Sequence, residues 1–163
     1  MTHANVYRHF ASKADLADAV TAAWLKPLEA RLREAADGAD PAHDKIERML
    51  MAVHSAYRAT LEAEPKLFDL FIDALEDERP AAKLHRARVQ GEVQRVVEDA
   101  IAAGAFAHWD RRRAMALIFD IAHRFIHPSA MKLDREAPRA ALAGRFEAAL
   151  GLLLRALRFG RGG

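Results

Sequence analysis

The sequence predicts an all-α helical bundle, and three observations carry that expectation. Apolar residues make up 52% of the 163-residue chain, and Ala, Leu, Arg and Glu dominate while β-branched residues are few. The dominant four are strong helix formers. Apolar side chains recur at three- and four-residue spacing through most segments, and no stretch alternates with the two-residue period of a strand. Asp-Gly, Asp-Pro, Glu-Pro and Arg-Pro pairs stand between the periodic segments, where helices stop and start.

Taken in order, Thr2 can cap a short helix over about His3 to His9, and Ala11-Ser12 break it. Ser12 is a natural N-cap for a second helix, with Asp15 placed to favour its positive end. That helix carries Leu16, Ala19, Val20, Ala23, Trp24 and Leu28 on one stripe, is expected to kink at Pro27, and ends at Asp37-Gly38. Asp40-Pro41 opens a third, with Ile46, Met49, Leu50, Val53, Ala56, Tyr57 and Leu61. Beyond Glu64-Pro65, Leu67, Phe68, Leu70, Phe71, Ile72 and Leu75 form a short, very apolar helix. Arg79-Pro80 starts a longer one bearing Leu84, Val89, Val93, Val96, Val97 and Ile101, closed by Gly104. Asp110 caps the next, with Met115, Leu117, Ile118, Ile121, Ala122 and Phe125, which stops before Pro128. A loop containing Lys132 to Pro138 leads to the last helix, from about Arg139, with Leu142, Phe146, Ala149, Leu150, Leu153, Leu154 and Leu157.

Charge excludes little, since 25 Lys plus Arg oppose 23 Asp plus Glu. Arg111, Arg112 and Arg113, and Arg155, Arg158 and Arg161, read as solvated helix ends rather than as a nucleic-acid patch. With no cysteine there is no disulfide or thiol chemistry, as suits a reducing cytoplasm, where the protein is expected. No apolar run is long and charge-free enough to span a bilayer. Arg8, Lys13, Asp15 and Asp18 interrupt any signal-peptide core. The two terminal helices are apolar over a wide arc. Ala122, Phe125, Phe146, Leu150, Leu153 and Leu157 either close the chain's own core or, as preferred here, form a two-fold interface in which each chain gives two helices to a four-helix bundle.

The run Thr2…Tyr7-Arg8-His9-Phe10-Ala11-Ser12-Lys13-Ala14-Asp15-Leu16 carries the sharpest signal. It resembles the end of the helix-turn-helix in the tetracycline-repressor family: a Ser/Thr cap, a short recognition helix ending Tyr-x-His-Phe, then Ser-Lys-x-x-Leu opening a connecting helix. Ten positions fit in order. His123-Arg124-Phe125-Ile126-His127-Pro128 also resembles a stretch in some members, and the remaining helices follow the family's order. The resemblance implies a partial DNA-binding domain over residues 1–20 and an effector-binding and dimerising domain over 21–163. It implies a ligand-responsive regulator, in all expectation a repressor, that binds operator DNA as a homodimer and is released by a small molecule.

Physical chemistry gives those residues matching roles. A recognition helix lies in the major groove with polar residues of its first turns at base edges. Thr2, His3 and Asn5 are candidates, Asn5 offering a bidentate amide to adenine. By their place in the motif that the resemblance implies, Tyr7, His9 and Lys13 would hold phosphates, and Val6, Phe10 and Leu16 would pack inward. The family places two helices before this point. With Met1 standing where they end, the chain as written is expected to bind DNA weakly or not at all.

By the same resemblance, an effector pocket is expected among helices near residues 46–61, 66–76, 84–101 and 115–127. The candidate lining is His54, Tyr57, Phe68, Phe71, Ile72, His85, Val89, Phe119 and His123, a largely apolar set suited to an apolar or aromatic ligand. His123 and His127 stand four apart, a spacing that can hold a metal with Asp120 or His54, but helix-end histidines with hydrogen-bonded partners are the preferred reading and no metal or other cofactor is expected. No nucleophile elbow, phosphate loop or Glu-x-x-His pair marks an enzyme. A dimeric ligand-binding module that no longer reads DNA, or a histidine-based metal protein, remain the alternatives.

Overall fold

The computed structural model describes residues 10–160. Among them are seven helices: α1 (Lys13–Asp37), α2 (Ala42–Ala63), α3 (Pro65–Glu76), α4 (Pro80–Ala102), α5 (Arg111–Ile126), α6 (Pro128–Leu133) and α7 (Arg139–Phe159). No strand occurs among the described residues, and no helix there is long and apolar enough to cross a membrane.

Local chemistry sets most boundaries. The Ser12 hydroxyl accepts the Asp15 amide N–H at 3.1 Å and caps α1, and the Asp110 carboxylate accepts that of Arg113 at 3.0 Å to cap α5. Pro65, Pro80 and Pro128 each occupy a first turn, where their missing N–H costs nothing. Gly104 takes φ 81°, which lets the Ala105 amide reach back to the Ala100 carbonyl at 2.8 Å and close α4. The same closure ends α3, Arg79 N–H to Ala74 carbonyl at 2.8 Å, but there the left-handed position is held by Glu78 at φ 51°.

The helix α1 continues through Pro27, which faces solvent together with Ala23, so the carbonyl that loses its intrahelical donor belongs to an exposed residue. One expectation needs correction: the segment from Pro128 forms the short helix α6 instead of a plain loop.

The helix α2 is the centre of the bundle, packed on α1, α3, α4, α5, α6 and α7. Its Ile46, Met49, Leu50, Val53, Tyr57 and Leu61 are all buried. Helix α1 lies against α4 and α2, and its buried stripe is Thr21, Leu25, Leu28, Leu32 and Ala35, rotated from the expected one so that Val20 is exposed. Trp24 stays half-buried, its indole N–H donating to Thr60 Oγ1 at 2.9 Å. Ion pairs stitch the α1–α4 seam along its length: Arg79 to Asp15 and Asp18, Arg88 to Glu29, and Arg95 to Asp37.

Arg58 on α2 is 3% exposed, yet fully engaged. Its guanidinium donates to Glu62 at 2.6 Å and to the carbonyls of Asp134, Arg135 and Ala137 at 2.9, 2.9 and 2.7 Å. One buried cation thus holds the α6–α7 loop.

The expected dimer residues also need correction. Ala122, Phe125, Phe146, Leu150, Leu153 and Leu157 are buried within the single chain. Phe125 and Phe146 stack with centroids 4.7 Å apart, and the set packs α5 and α7 on α2. The wide apolar arc closes the chain's own core because α2 supplies a third wall for it. What α7 presents outward includes Gly144, Ala148, Leu152, Arg155 and Phe159, flanked by the charged Arg145, Glu147 and Arg158, with Leu152 71% and Phe159 56% exposed.

Candidate functional site

A cavity of about 240 Å³ opens between α2, α3, α4 and α5. Val53 and Tyr57 of α2, Phe71 and Leu75 of α3, and Val89 of α4 form its apolar body with Phe119 and Ile126 of α5. His85, Arg86 and Gln90 enter from α4, and His123, His127 and Pro128 from the end of α5 and the start of α6. No Asp or Glu is among the lining residues. Pro128 starts α6 at the cavity wall, and His127, the residue between the two helices, is set in extended backbone at φ −85°, ψ 121°.

Of the expected pocket residues, Tyr57, Phe71, His85, Val89, Phe119 and His123 come together around this space. His54, Phe68 and Ile72 do not line it. Phe68 is wholly buried behind Tyr57, ring centroids 6.3 Å apart, and Ile72 is buried on α3. His54 faces the other side of α2, where its Nδ1–H donates to the Phe125 carbonyl at 2.7 Å and its ring lies 5.4 Å from that of Phe146. Residues the sequence reading missed are Arg86 and Gln90. They follow His85 and Val89 by one position each, so the lining face of α4 is wider than its apolar stripe, a signal present in the spacing.

Inside the cavity the polar groups form one chain of bonds. Tyr57 Oη lies 2.6 Å from His85 Nε2, His85 Nδ1 lies 2.8 Å from a Glu29 oxygen, and Arg88 donates to the other Glu29 oxygen at 2.6 Å. Burial pushes the Tyr57 phenol up, with the Glu29 charge adding to it, so the phenol stays protonated and donates. Burial also holds the His85 imidazole below its ordinary range, against the opposing pull of Glu29. A neutral His85 then accepts from Tyr57 at Nε2 and donates to Glu29 from Nδ1, the tautomer that satisfies every partner. Glu29 belongs to α1, so this chain runs from the cavity wall into the first helix.

At the mouth, His123 and His127 stack with centroids 4.5 Å apart at 27°. Burial, then the neighbouring His123 and Arg86, hold His127 below the ordinary histidine range. Its Nδ1 is buried without a hydrogen-bond partner among the described residues. Asp120, His123 and His127 do not converge into a three-donor group, nor does any other such set among the described residues. The metal candidates are therefore not assembled.

The DNA-contact candidates Thr2, His3, Asn5, Tyr7 and His9 lie outside the described residues. Lys13 is the first residue of α1 and is exposed.

A family model described as Tetracyclin repressor-like, C-terminal domain, matches residues 42–148, from the start of α2 into α7. The chain belongs to the tetracycline-repressor family. The matched region contains every helix that lines the cavity, so the cavity lies within this protein's tetracycline-repressor-like domain. Neither the curated proteins nor the solved structures yield a match.

Proposed function

We propose that the protein is a ligand-responsive transcriptional regulator, a repressor that binds operator DNA as a homodimer and lets go when a small, largely apolar molecule enters the cavity. One observation carries this reading: the cavity in the tetracycline-repressor-like domain is bonded through Tyr57, His85 and Glu29 to α1, the helix that Ser12 and Lys13 open. A ligand that displaces Tyr57 or His85 changes what holds α1, and with α1 the segment before it. Allosteric release needs such differential contact between two states.

The dimer surface in this reading is the outer face of α7, with Gly144, Ala148 and Leu152 at its centre. Small residues let two helices approach closely, and an exposed leucine supplies apolar area to cover.

Chromatin immunoprecipitation of the protein, followed by mobility shifts on the recovered fragments, tests the reading. A small set of operator-like sites is expected, and failure to recover any would sink the DNA-binding part. Val89→Trp fills the cavity from α4. If the bound genes respond to inducer normally in that variant, the cavity is not the effector site.

A further inference from the structure

The polar groups around the cavity fall into two sets, and only one is already satisfied. The inner set, Tyr57 and His85, is bonded through to Glu29 and asks nothing of a ligand. The outer set, Arg86, Gln90, His123 and His127, stands at the mouth, where Arg86, Gln90 and His123 are exposed. Arg79, Arg88 and Arg95 on or beside the same helix each hold a carboxylate. Arg86 has none among the described residues, and the buried Nδ1 of His127 has no partner there either. The mouth thus gathers donors and positive charge with no acid among its lining residues.

We propose that the cavity selects a compact apolar carboxylate, its aryl or alkyl body against Phe71, Val89 and Phe119 and its carboxylate at the mouth between Arg86 and the stacked His123–His127 pair. This rests on the reading of the cavity as the effector site. A guanidinium matches a carboxylate with two parallel N–H bonds, and each imidazole adds a donor. The partly open mouth leaves the carboxylate some water, which limits its desolvation cost. An amine of the same skeleton meets the like charge of Arg86 and finds only the neutral acceptors of Gln90 and the imidazoles, with no carboxylate to pair its charge, and a neutral amide forgoes the ionic part of the contact. The volume, below the about 300–1,000 Å³ usual for ligand sites, favours a single ring or a short chain over a fused polycycle.

Calorimetric titration of the 163-residue chain with benzoate, phenylacetate and hexanoate, each beside the amide and the amine of the same skeleton, tests the assignment. The carboxylates are expected to bind roughly 10-fold tighter than their amides, the worth of one hydrogen bond to a charged group. Arg86→Ala removes that advantage and Arg86→Glu turns the preference toward the amines. Arg86 is exposed and outside the core, so both variants keep the parent's thermal midpoint, which checks their folding. Amides or amines that bind as tightly as the carboxylates, or a carboxylate preference that survives Arg86→Glu, overturn the anion assignment while leaving a ligand cavity in place. No heat and no thermal shift with any compound at millimolar concentration overturns both readings.

Discussion

Replacing Tyr57 by Phe removes one oxygen from the link between cavity and α1 and nothing else. His85 is 2% exposed, and its Nε2 accepts only the Tyr57 hydroxyl, at 2.6 Å. Without that hydroxyl a buried acceptor loses its donor, a loss of about 1–3 kcal/mol. The adjoining cavity admits water to the vacated place, which puts the expected cost near the low end, at about 1–1.5 kcal/mol. Glu29→Gln acts on the other side of the ring. It keeps an acceptor for His85 Nδ1–H but removes the charge that strengthens the 2.8 Å bond and holds Arg88. Because the two bonds share one imidazole, their losses are not independent, and a double-mutant cycle should show a coupling energy above about 0.5 kcal/mol. Urea denaturation of the parent, the two single variants and the double variant measures all four corners. The reasoning is refuted if Tyr57→Phe is as stable as the parent, or if the two changes simply add, since then the chain of bonds carries no energy from the cavity to α1.

Four further outcomes follow from the geometry. Arg58→Ala strands the carbonyls of Asp134, Arg135 and Ala137 and should cost about 3–5 kcal/mol, lowering the thermal midpoint by roughly 10 °C. Arg58→Lys, with a single ammonium in place of the fork, should recover only part of it. Folding holds the His85 pKa below its unfolded value. Its contribution to stability is therefore full above about pH 6.5 and is lost as pH falls through the lower folded value, with a slope of at most about 1.4 kcal/mol per pH unit for one proton. Urea midpoints across that range should show the loss, and His85→Gln should flatten it. Glu78→Gly relieves the left-handed backbone at φ 51° and should raise stability by roughly 0.5–1 kcal/mol by calorimetry. Leu152→Arg places a charge on the outer face of α7, so sedimentation velocity should show a monomer with the parent's circular dichroism, and an unchanged dimer would remove that face from the interface.

Much of this protein was legible before any tertiary contact was known. Helix order came from apolar spacing, and the ends from Ser12, Asp110, the prolines and Gly104, because caps and breakers act through atoms a few residues away. The family was expected from Tyr7 to Leu16 and from the helix order, and the family model that shows it matches residues 42–148, the region where helix order carried the resemblance. Burial was less so, since a helix stripe says which side is apolar but not which neighbour covers it. Leu84 and Val20 looked like core and are exposed, while Ala82 and Thr21 take their places. Phe125, Phe146 and Leu150 looked like surplus for a partner chain, and only the fold shows α2 using them.

The site divides the same way. The family resemblance nominated the helices of the pocket, and Tyr57, Phe71, His85 and Val89 on them do line the cavity, whereas His54, Phe68 and Ile72 from the same reading do not. Only the packing of four helices decides that Glu29, 56 residues from His85 in sequence, completes its hydrogen bonds. It also decides that Arg86 and His127 face one opening with no acid between them. Capping and periodicity are short-range and can be read along the chain. A charge balance in a cavity is a sum over residues from separate helices, and it exists only once those helices have met.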